Sequence, residues 1–449
     1  MPMELNPEVF VGNIVWPAIP SQKAATMLAM LFQLEQSQWL PEETLRQRQM
    51  VQAGVLLQHA LKTVPFYSPL LREMNGRRID RALWNELPIL ERETVQARFD
   101  DLKSLDIPAD HGPIITYGSS GSTGRPITVL GTAVTACFWQ ALSARENLWQ
   151  QRDFSGKLAA IRSKIKPGTA PRWGGWCDGL ITGPSCGLSI SEDIDDQLAW
   201  LAEEKPDYLL THPSNLFALA QRALAREITL PRLKQVRTFG EMLRPDLRAL
   251  CRKAWNVGLA DIYSAEEVGY VALQCPQGEH YHIQSENLLV EILDNDNQPC
   301  KPGEIGHVVV TTLHNFAMPL IRYRLRDQAE VGEPCPCGRG LPVLRRIVGR
   351  QRNMLRLPDG RQHWPSFPGS LWRQVVPELQ QFQLIQKALD RIEVRIASSV
   401  SVNEAQELAL ANMLTENFGY PFRFDFTYVA RIDPTPNGKF EDFISMISV

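Results

Sequence analysis

Three groups of residues in this chain have types and spacings that could do chemistry. The first is Thr116-Tyr-Gly-Ser-Ser-Gly-Ser-Thr-Gly-Arg-Pro126, three glycines set among hydroxyls directly after the apolar pair Ile114-Ile115. Glycines let backbone N–H groups turn inward, and Ser and Thr hydroxyls add neutral donors, so such a loop can cradle phosphate oxygens. An ordinary Gly/Ser surface loop is the plain alternative. No lysine follows a glycine as a Walker A loop requires, and Gly118-Ser-Ser-Gly-Ser lacks the last glycine of a nucleophile elbow. The second group pairs Cys335-Pro-Cys337 with Cys275-Pro-Gln-Gly-Glu-His280-Tyr-His282. Two thiolates on a tight turn, a third upstream and two imidazoles offer a tetrahedral soft-metal site, with free cysteines in polar loops as the rival. The third is ionic: Glu266-Glu267 after Tyr263, Asp327 after Arg322-Tyr-Arg-Leu-Arg, and Lys439 in Pro436-Asn-Gly-Lys. Taken singly, such groups are usually solvated or paired on a surface.

The 449 residues that position these groups are 44% hydrophobic and 22% charged, which excludes disorder, collagen and coiled coil and predicts two or three domains around a sizeable core. With 47 basic and 50 acidic residues the formal charge is −3, so no nucleic-acid-binding surface is expected. The start lacks a basic, apolar leader, and the run from Met27 to Phe32 is too short to span a bilayer. A cytoplasmic protein without membrane contact is the expectation. Eight cysteines spread through a chain this long suggest free thiols or a metal site over disulfides.

Residues 1 to about 110 read as mainly helical, with Leu45, Met50, Val51, Val55, Leu56 and Leu61 at helical spacing between Glu42 and Lys62, forming a lid or platform. From about 111 to 285, strands at 157–161, 208–211 and 236–239 alternate with helices at 215–226 and 245–256, which predicts an α/β domain with much of its sheet parallel. Leu288 to Leu293 and the run from His307 read as a hairpin in a β-rich subdomain. After Gly349 the pattern resets: 384–396 and 422–432 read as strands around a helix at 403–418, a small α+β domain.

The glycine-rich loop resembles that of the adenylate-forming superfamily, and other segments follow in that family's order. The chain is similar in particular to the phenylacetate–CoA ligase branch: Tyr263-Ser-Ala-Glu-Glu267-Val-Gly, Pro319-Leu-Ile-Arg-Tyr-Arg-Leu-Arg-Asp327, Cys335-Pro-Cys-Gly-Arg339, the hinge pair Gly349-Arg350 and Pro436-Asn-Gly-Lys439 span most of the chain. The resemblance implies an α/β fold with a large N-terminal adenylation domain of mixed sheets and a β-rich subdomain, residues 1–349, and a small mobile α+β C-terminal domain, residues 350–449.

It also implies roles. Ser119, Ser120, Gly121, Ser122, Thr123 and Gly124 would hold ATP phosphates, Glu267 would ligate Mg²⁺, Asp327 would bind the ribose hydroxyls, Arg350 would steady ribose or phosphate, and Lys439 would bridge carboxylate, ribose and α-phosphate. Gly240 and Glu241 resemble the segment flanking adenine. Two departures stand out: Glu266 occupies a position where many members carry Ser or Thr, so either glutamate could take the Mg²⁺, and Arg352 stands where the hinge commonly has Asp or Lys. For the metal site, the branch's His-x-x-x-Glu pattern favours His282 over His280, giving Cys275, His282, Cys335 and Cys337 around a structural zinc.

Tyr263, Trp173, Trp176, Ala265 and Phe239 are candidates for an acid pocket, and Trp173-Gly-Gly-Trp176 is equally a loop pinning its indoles into the core. The expected reaction is ATP-dependent activation of an aryl or related carboxylic acid, then transfer to CoA. An amine or a carrier-protein pantetheine is the alternative acceptor, and a non-catalytic nucleotide binder is disfavoured by the retained Glu267, Asp327 and Lys439. A homodimer is left open.

Overall fold

The computed structural model describes residues 5–72, 81–118, 127–163, 165–350, 355–359, 362–363, 372, 374–433 and 441–447. Twelve strands form one sheet, in the order Leu288–Leu293, Ile305–Thr312, Tyr323–Val331, Val343–Arg350, Tyr281–Ile283, Gly269–Gln274, Gly258–Ala265, Gln235–Phe239, Tyr208–Thr211, Leu158–Arg162, Ser185–Ser189 and Gly168–Ala170. From Gly258–Ala265 to Ser185–Ser189 every neighbouring pair is parallel. From Leu288–Leu293 to Gly258–Ala265 the pairs are antiparallel, and the expected hairpin pairs Leu288 with Thr312 and Leu293 with His307. The sheet is thus parallel in only one half, and the change of sense falls on Gly258–Ala265, the strand that carries Tyr263.

The parallel half is covered by Ile194–Glu204, Pro213–Ala225 and Leu247–Trp255, whose Leu198, Leu201, Leu216, Leu219 and Leu247 share a buried cluster with Leu209 and Val236. Each fully buried leucine of this kind stabilises by roughly 1.5–3 kcal/mol. On the antiparallel half lies Glu42–Thr63, which buries Leu45, Ala53, Leu56, Leu57 and Ala60. Its inward stripe is rotated from the sequence reading, since Val51 is 73% and Val55 52% exposed. The N-terminal helical region is pinned to the sheet by Arg322, whose buried guanidinium spans Glu291 at 3.1 Å and the Leu87 carbonyl at 2.6 Å. Alongside, the Leu90 N–H donates to the Arg322 carbonyl and the Arg324 N–H to that of Leu90.

The helix Ala133–Trp149 opens on a capping box between Thr132 and Thr135 and buries charge as well as apolar groups. Its Glu146 pairs with Arg152 at 2.5 Å and Arg237 at 3.2 Å, and its fully buried Arg145 reaches Glu286 at 3.0 Å and Gln284 at 2.9 Å. Buried ions persist only when paired in this way. The helix is therefore held rigidly, along with the residues that face away from this network.

The C-terminal part has a four-stranded sheet in the order Arg423–Tyr428, Arg391–Ser398, Leu379–Ala388, Phe443–Ser445, packed on Glu404–Phe418. The single strand read over 384–396 is two antiparallel strands broken at Leu389-Asp390. Among the described residues, no helix is long and apolar enough to cross a membrane.

Candidate active site and metal centre

Residues far apart in the chain meet where the sheet changes sense. Tyr263, on the central strand, donates its hydroxyl to the Asp327 carboxylate at 2.8 Å. Asp327 faces Arg350 in register on the neighbouring strand. The Arg350 backbone ends its strand here, while its side chain, the loop Ser119, Ser120, Gly121, Ser122, Thr123 and Gly124, and Lys439 lie outside the described residues. The loop is bracketed by a described hairpin that pairs Gly118 with Thr128 and Ile115 with Gly131.

Gly240 follows the strand Gln235–Phe239 at φ +79°, a conformation glycine adopts without strain. Glu241 has a structural duty: its carboxylate accepts the Ser214 N–H at 2.9 Å in the first turn of Pro213–Ala225, where backbone donors lack helical partners. At the same strand end the ring of His212 lies against Phe239 with centroids 4.5 Å apart.

The two adjacent glutamates part ways. The Glu267 side chain is 8% exposed and lies 3.6 Å from the Arg92 guanidinium. Glu266 has no hydrogen-bond or ion-pair partner among the described residues. Both line a cleft whose walls include Tyr117, Trp139, Tyr270 and His314. The sequence reading missed these walls. Trp139 belongs to an apolar helix and has no distinguishing local signal, whereas Tyr270 follows the acidic pair closely enough to have been found. Neither Tyr263, Ala265 nor Phe239 lines this cleft. Trp173 is in the core, its indole donating to the Gly156 carbonyl at 2.8 Å and packing on Phe154, so the core-pinning alternative holds for it.

The third cluster converges closely. Ligand atoms of Cys275, His282, Cys335 and Cys337 all lie within 4.8 Å of one another. The Cys275 and Cys335 sulfurs are 3.8 Å apart, and Nε2 of His282 is 3.4 Å from the Cys337 sulfur. That sulfur separation is far beyond a disulfide bond of about 2.05 Å. It equals the spacing of about 3.8 Å expected of two thiolates each about 2.3 Å from one tetrahedral zinc. His282 Nδ1 donates to the Leu341 carbonyl at 3.2 Å, which leaves Nε2 unprotonated and turned toward the thiols. Burial pulls this imidazole down to about 4, keeping it neutral, the form that binds metal. Burial, then the neighbouring Cys335 and Cys337, pushes the Cys275 thiol up to about 12, a penalty a divalent cation would reverse. His280 is also close, with Nε2 2.9 Å from the Cys335 sulfur.

Comparisons with known proteins agree with this architecture. Residues 371–446 match the family model described as the CapK C-terminal domain. A phenylacetate–coenzyme A ligase of Thermus thermophilus is 26% identical over 73% of this chain and 74% of its own length. Protein CapK of Staphylococcus aureus is 21% identical over 84% of each chain. In solved structures, a 2-hydroxyisobutyryl-CoA ligase in its postadenylation state aligns with a TM-score of 0.71 at 17% identity, over 92% of this chain and 91% of that one. The same ligase in its thioesterification state aligns at 0.56 and 18% identity, over 89% and 90%.

Proposed function

We propose, from the premise that this chain belongs to the adenylate-forming superfamily in its phenylacetate–CoA ligase-like branch, that it is an AMP-forming acid–CoA ligase. In the first half-reaction a carboxylate oxygen bonds to the α-phosphorus of ATP, the α–β anhydride breaks and pyrophosphate leaves. In the second, the sulfur of CoA attacks the acyl carbon, AMP leaves with the former carboxylate oxygen, and the thiol proton passes to solvent. The observation that carries the reading is the meeting of Tyr263 and Asp327 beside the Glu266-Glu267 cleft.

The chemical problem is an anion approaching a polyanion, so donors and cations must be in place before the encounter. Asp327, oriented by the Tyr263 hydroxyl, accepts the ribose hydroxyls. The loop Ser119 to Gly124 supplies N–H and hydroxyl donors to the phosphates, and Lys439 joins carboxylate and α-phosphate. Gly240 leaves the adenine edge open. Glu267, whose carboxylate lines the cleft, would hold the Mg²⁺ that offsets phosphate charge. Relatives named as coenzyme A ligases favour CoA over an amine or a carrier pantetheine as acceptor. We assign residues 350–449 as the domain that brings Lys439 to the site and then withdraws it. The Cys275, His282, Cys335 and Cys337 cluster is read as structural zinc, since four protein ligands leave no open coordination position.

Pyrophosphate release from a panel of carboxylic acids, with and without CoA, tests this. Thioester should appear only with CoA and only for acids that release pyrophosphate. Lys439→Ala should lower acid-dependent pyrophosphate exchange on the order of a hundredfold or more. Undiminished exchange would overturn the role of Lys439.

A further inference from the structure

The cleft beside Glu266 can be read from which of its polar groups are already committed. Thr135 exchanges hydrogen bonds with the Thr132 backbone in the capping box. Asn315 donates to the Leu130 carbonyl and accepts the Ala317 and Met318 N–H groups. The Tyr270 hydroxyl is held by Ser143 at 2.9 Å and Arg237 at 3.0 Å. Glu267 faces Arg92. Four groups of the wall remain without a side-chain partner among the described residues: the Glu266 carboxylate, the Asn287 amide, the Tyr117 hydroxyl and Nδ1 of His314. His314 spends its other nitrogen, Nε2, on the Glu286 carbonyl at 2.9 Å and stacks on Phe138 with centroids 4.2 Å apart. With that nitrogen donating, Nδ1 is an acceptor.

Within this set the Glu266 carboxylate and His314 Nδ1 can only accept, the Asn287 amide and Tyr117 hydroxyl can accept or donate, and the one negative charge has no counter-ion among the described residues. No lysine or arginine lines the cleft among the described residues. The apolar part of the wall is aromatic: Trp139 and Tyr270 lie with ring centroids 4.8 Å apart and planes inclined by 43°. Gly269 lies beside Trp139 and Asn287 at φ +89°, a backbone conformation that favours glycine. This aromatic face suits a flat ring laid against it. A second carboxylate on that ring would be repelled by Glu266, and a bare hydrocarbon edge would strip the carboxylate of water and give nothing back.

Resting on the acid-activation reading above, we infer that the substrate is an aryl carboxylic acid bearing a nitrogen donor on its ring, with the amine received by Glu266 and the neighbouring acceptors. The reacting carboxylate then points away from this wall. Glu266 is a specificity residue and Glu267 alone serves the metal.

The test uses matched acids on the full chain: phenylacetate, its 2-, 3- and 4-amino isomers, 4-(aminomethyl)phenylacetate and 4-carboxyphenylacetate. In pyrophosphate release, at least one nitrogen-bearing acid should exceed phenylacetate in kcat/KM by about ten- to a hundredfold, the range of one hydrogen bond to a charged group. The diacid should be the poorest. The aminomethyl compound separates a cationic donor from the neutral aniline. Glu266→Gln should collapse the ratio of amino acid isomer to phenylacetate toward one, and because the ratio is taken within one variant, partial misfolding does not change it. Equal loss for all acids in Glu266→Gln would make this residue the metal ligand and overturn the inference, as would phenylacetate matching every nitrogen-bearing acid in the wild type. Calorimetric titration of the same acids without ATP gives a reading independent of turnover: preferential binding of an amino isomer supports the inference even if no acid releases pyrophosphate, which would defeat the adenylation reading alone, and equal binding by all acids overturns the inference.

Discussion

The Cys275–His282–Cys335–Cys337 cluster and the Glu266 cleft sit at opposite ends of one strand, Gly269–Gln274, and use their polar atoms in opposite ways. At one end every donor and acceptor converges on a common point within 4.8 Å, with the His282 tautomer fixed from behind by Leu341. At the other, a carboxylate without a partner among the described residues, an amide and an imidazole nitrogen line an open cleft beside the paired rings of Trp139 and Tyr270. A closed set of ligands suits a resident structural ion, and an open set suits a visitor that must leave. The difference lies less in residue types than in whether each polar group already has its partner.

The sharpest way to break this contrast is to open the closed end. Cys335→Ser removes a thiol that lies 3.8 Å from the Cys275 sulfur. Elemental analysis should then show zinc falling from about one per chain to near none, with stability lower by several kcal/mol. A strong chelator should lower the thermal midpoint of the unaltered protein in the same direction. Carefully purified wild-type protein that holds no zinc and melts unchanged with chelator would remove the distinction.

A second experiment concerns a site that is closed but still costly. Asp261 is buried, accepts hydrogen bonds from Thr238 at 2.6 Å and Tyr281 at 2.7 Å, and is pushed by burial up to about 6 from an ordinary 3.8. A carboxyl raised in the folded state holds more protons folded than unfolded between those values. Its favourable contribution is therefore complete below about pH 4 and lost as pH rises through about 6, a swing of roughly 3 kcal/mol at most. Asp261→Asn should flatten the dependence of unfolding free energy on pH across that window, measured by denaturant titration at several pH values. An unaltered slope would show that the Tyr281 and Thr238 hydroxyls compensate the buried charge fully.

That Tyr263 reaches Asp327 was not legible, since the sequence placed Tyr263 among candidates for the acid pocket; the convergence of Cys275, His282, Cys335 and Cys337 was, because the candidates come from two short segments and the resemblance preferred His282 to His280. The open end was not. Trp139 reads as one more apolar residue of a buried helix, and the different surroundings of Glu266 and Glu267 depend on Arg92, which no local pattern links to them. Trp173 shows the converse: an aromatic in a glycine-rich loop is as good a pocket wall as a core anchor until Gly156 and Phe154 are seen around it. At Leu389-Asp390 a hairpin turn without glycine or proline concealed a break between two strands, and Val51 and Val55 misplaced the inner face of Glu42–Thr63 because helical spacing alone tolerates a rotation of the apolar stripe.

The smallest expected effect distinguishes orientation from binding at the point where the two ends of the comparison meet. Tyr263 donates to Asp327 and is not among the residues that line the cleft, so Tyr263→Phe removes that hydrogen bond to a carboxylate while leaving the ring buried. If Asp327 is held ready for ribose, the variant should raise KM for ATP by about three- to tenfold, the worth of one ordinary to charge-assisted hydrogen bond, with KM for the acid unchanged. The split matters more than the size: a rise confined to the acid would move Tyr263 into the open end, and an equal rise in both would mean that the strand itself had shifted.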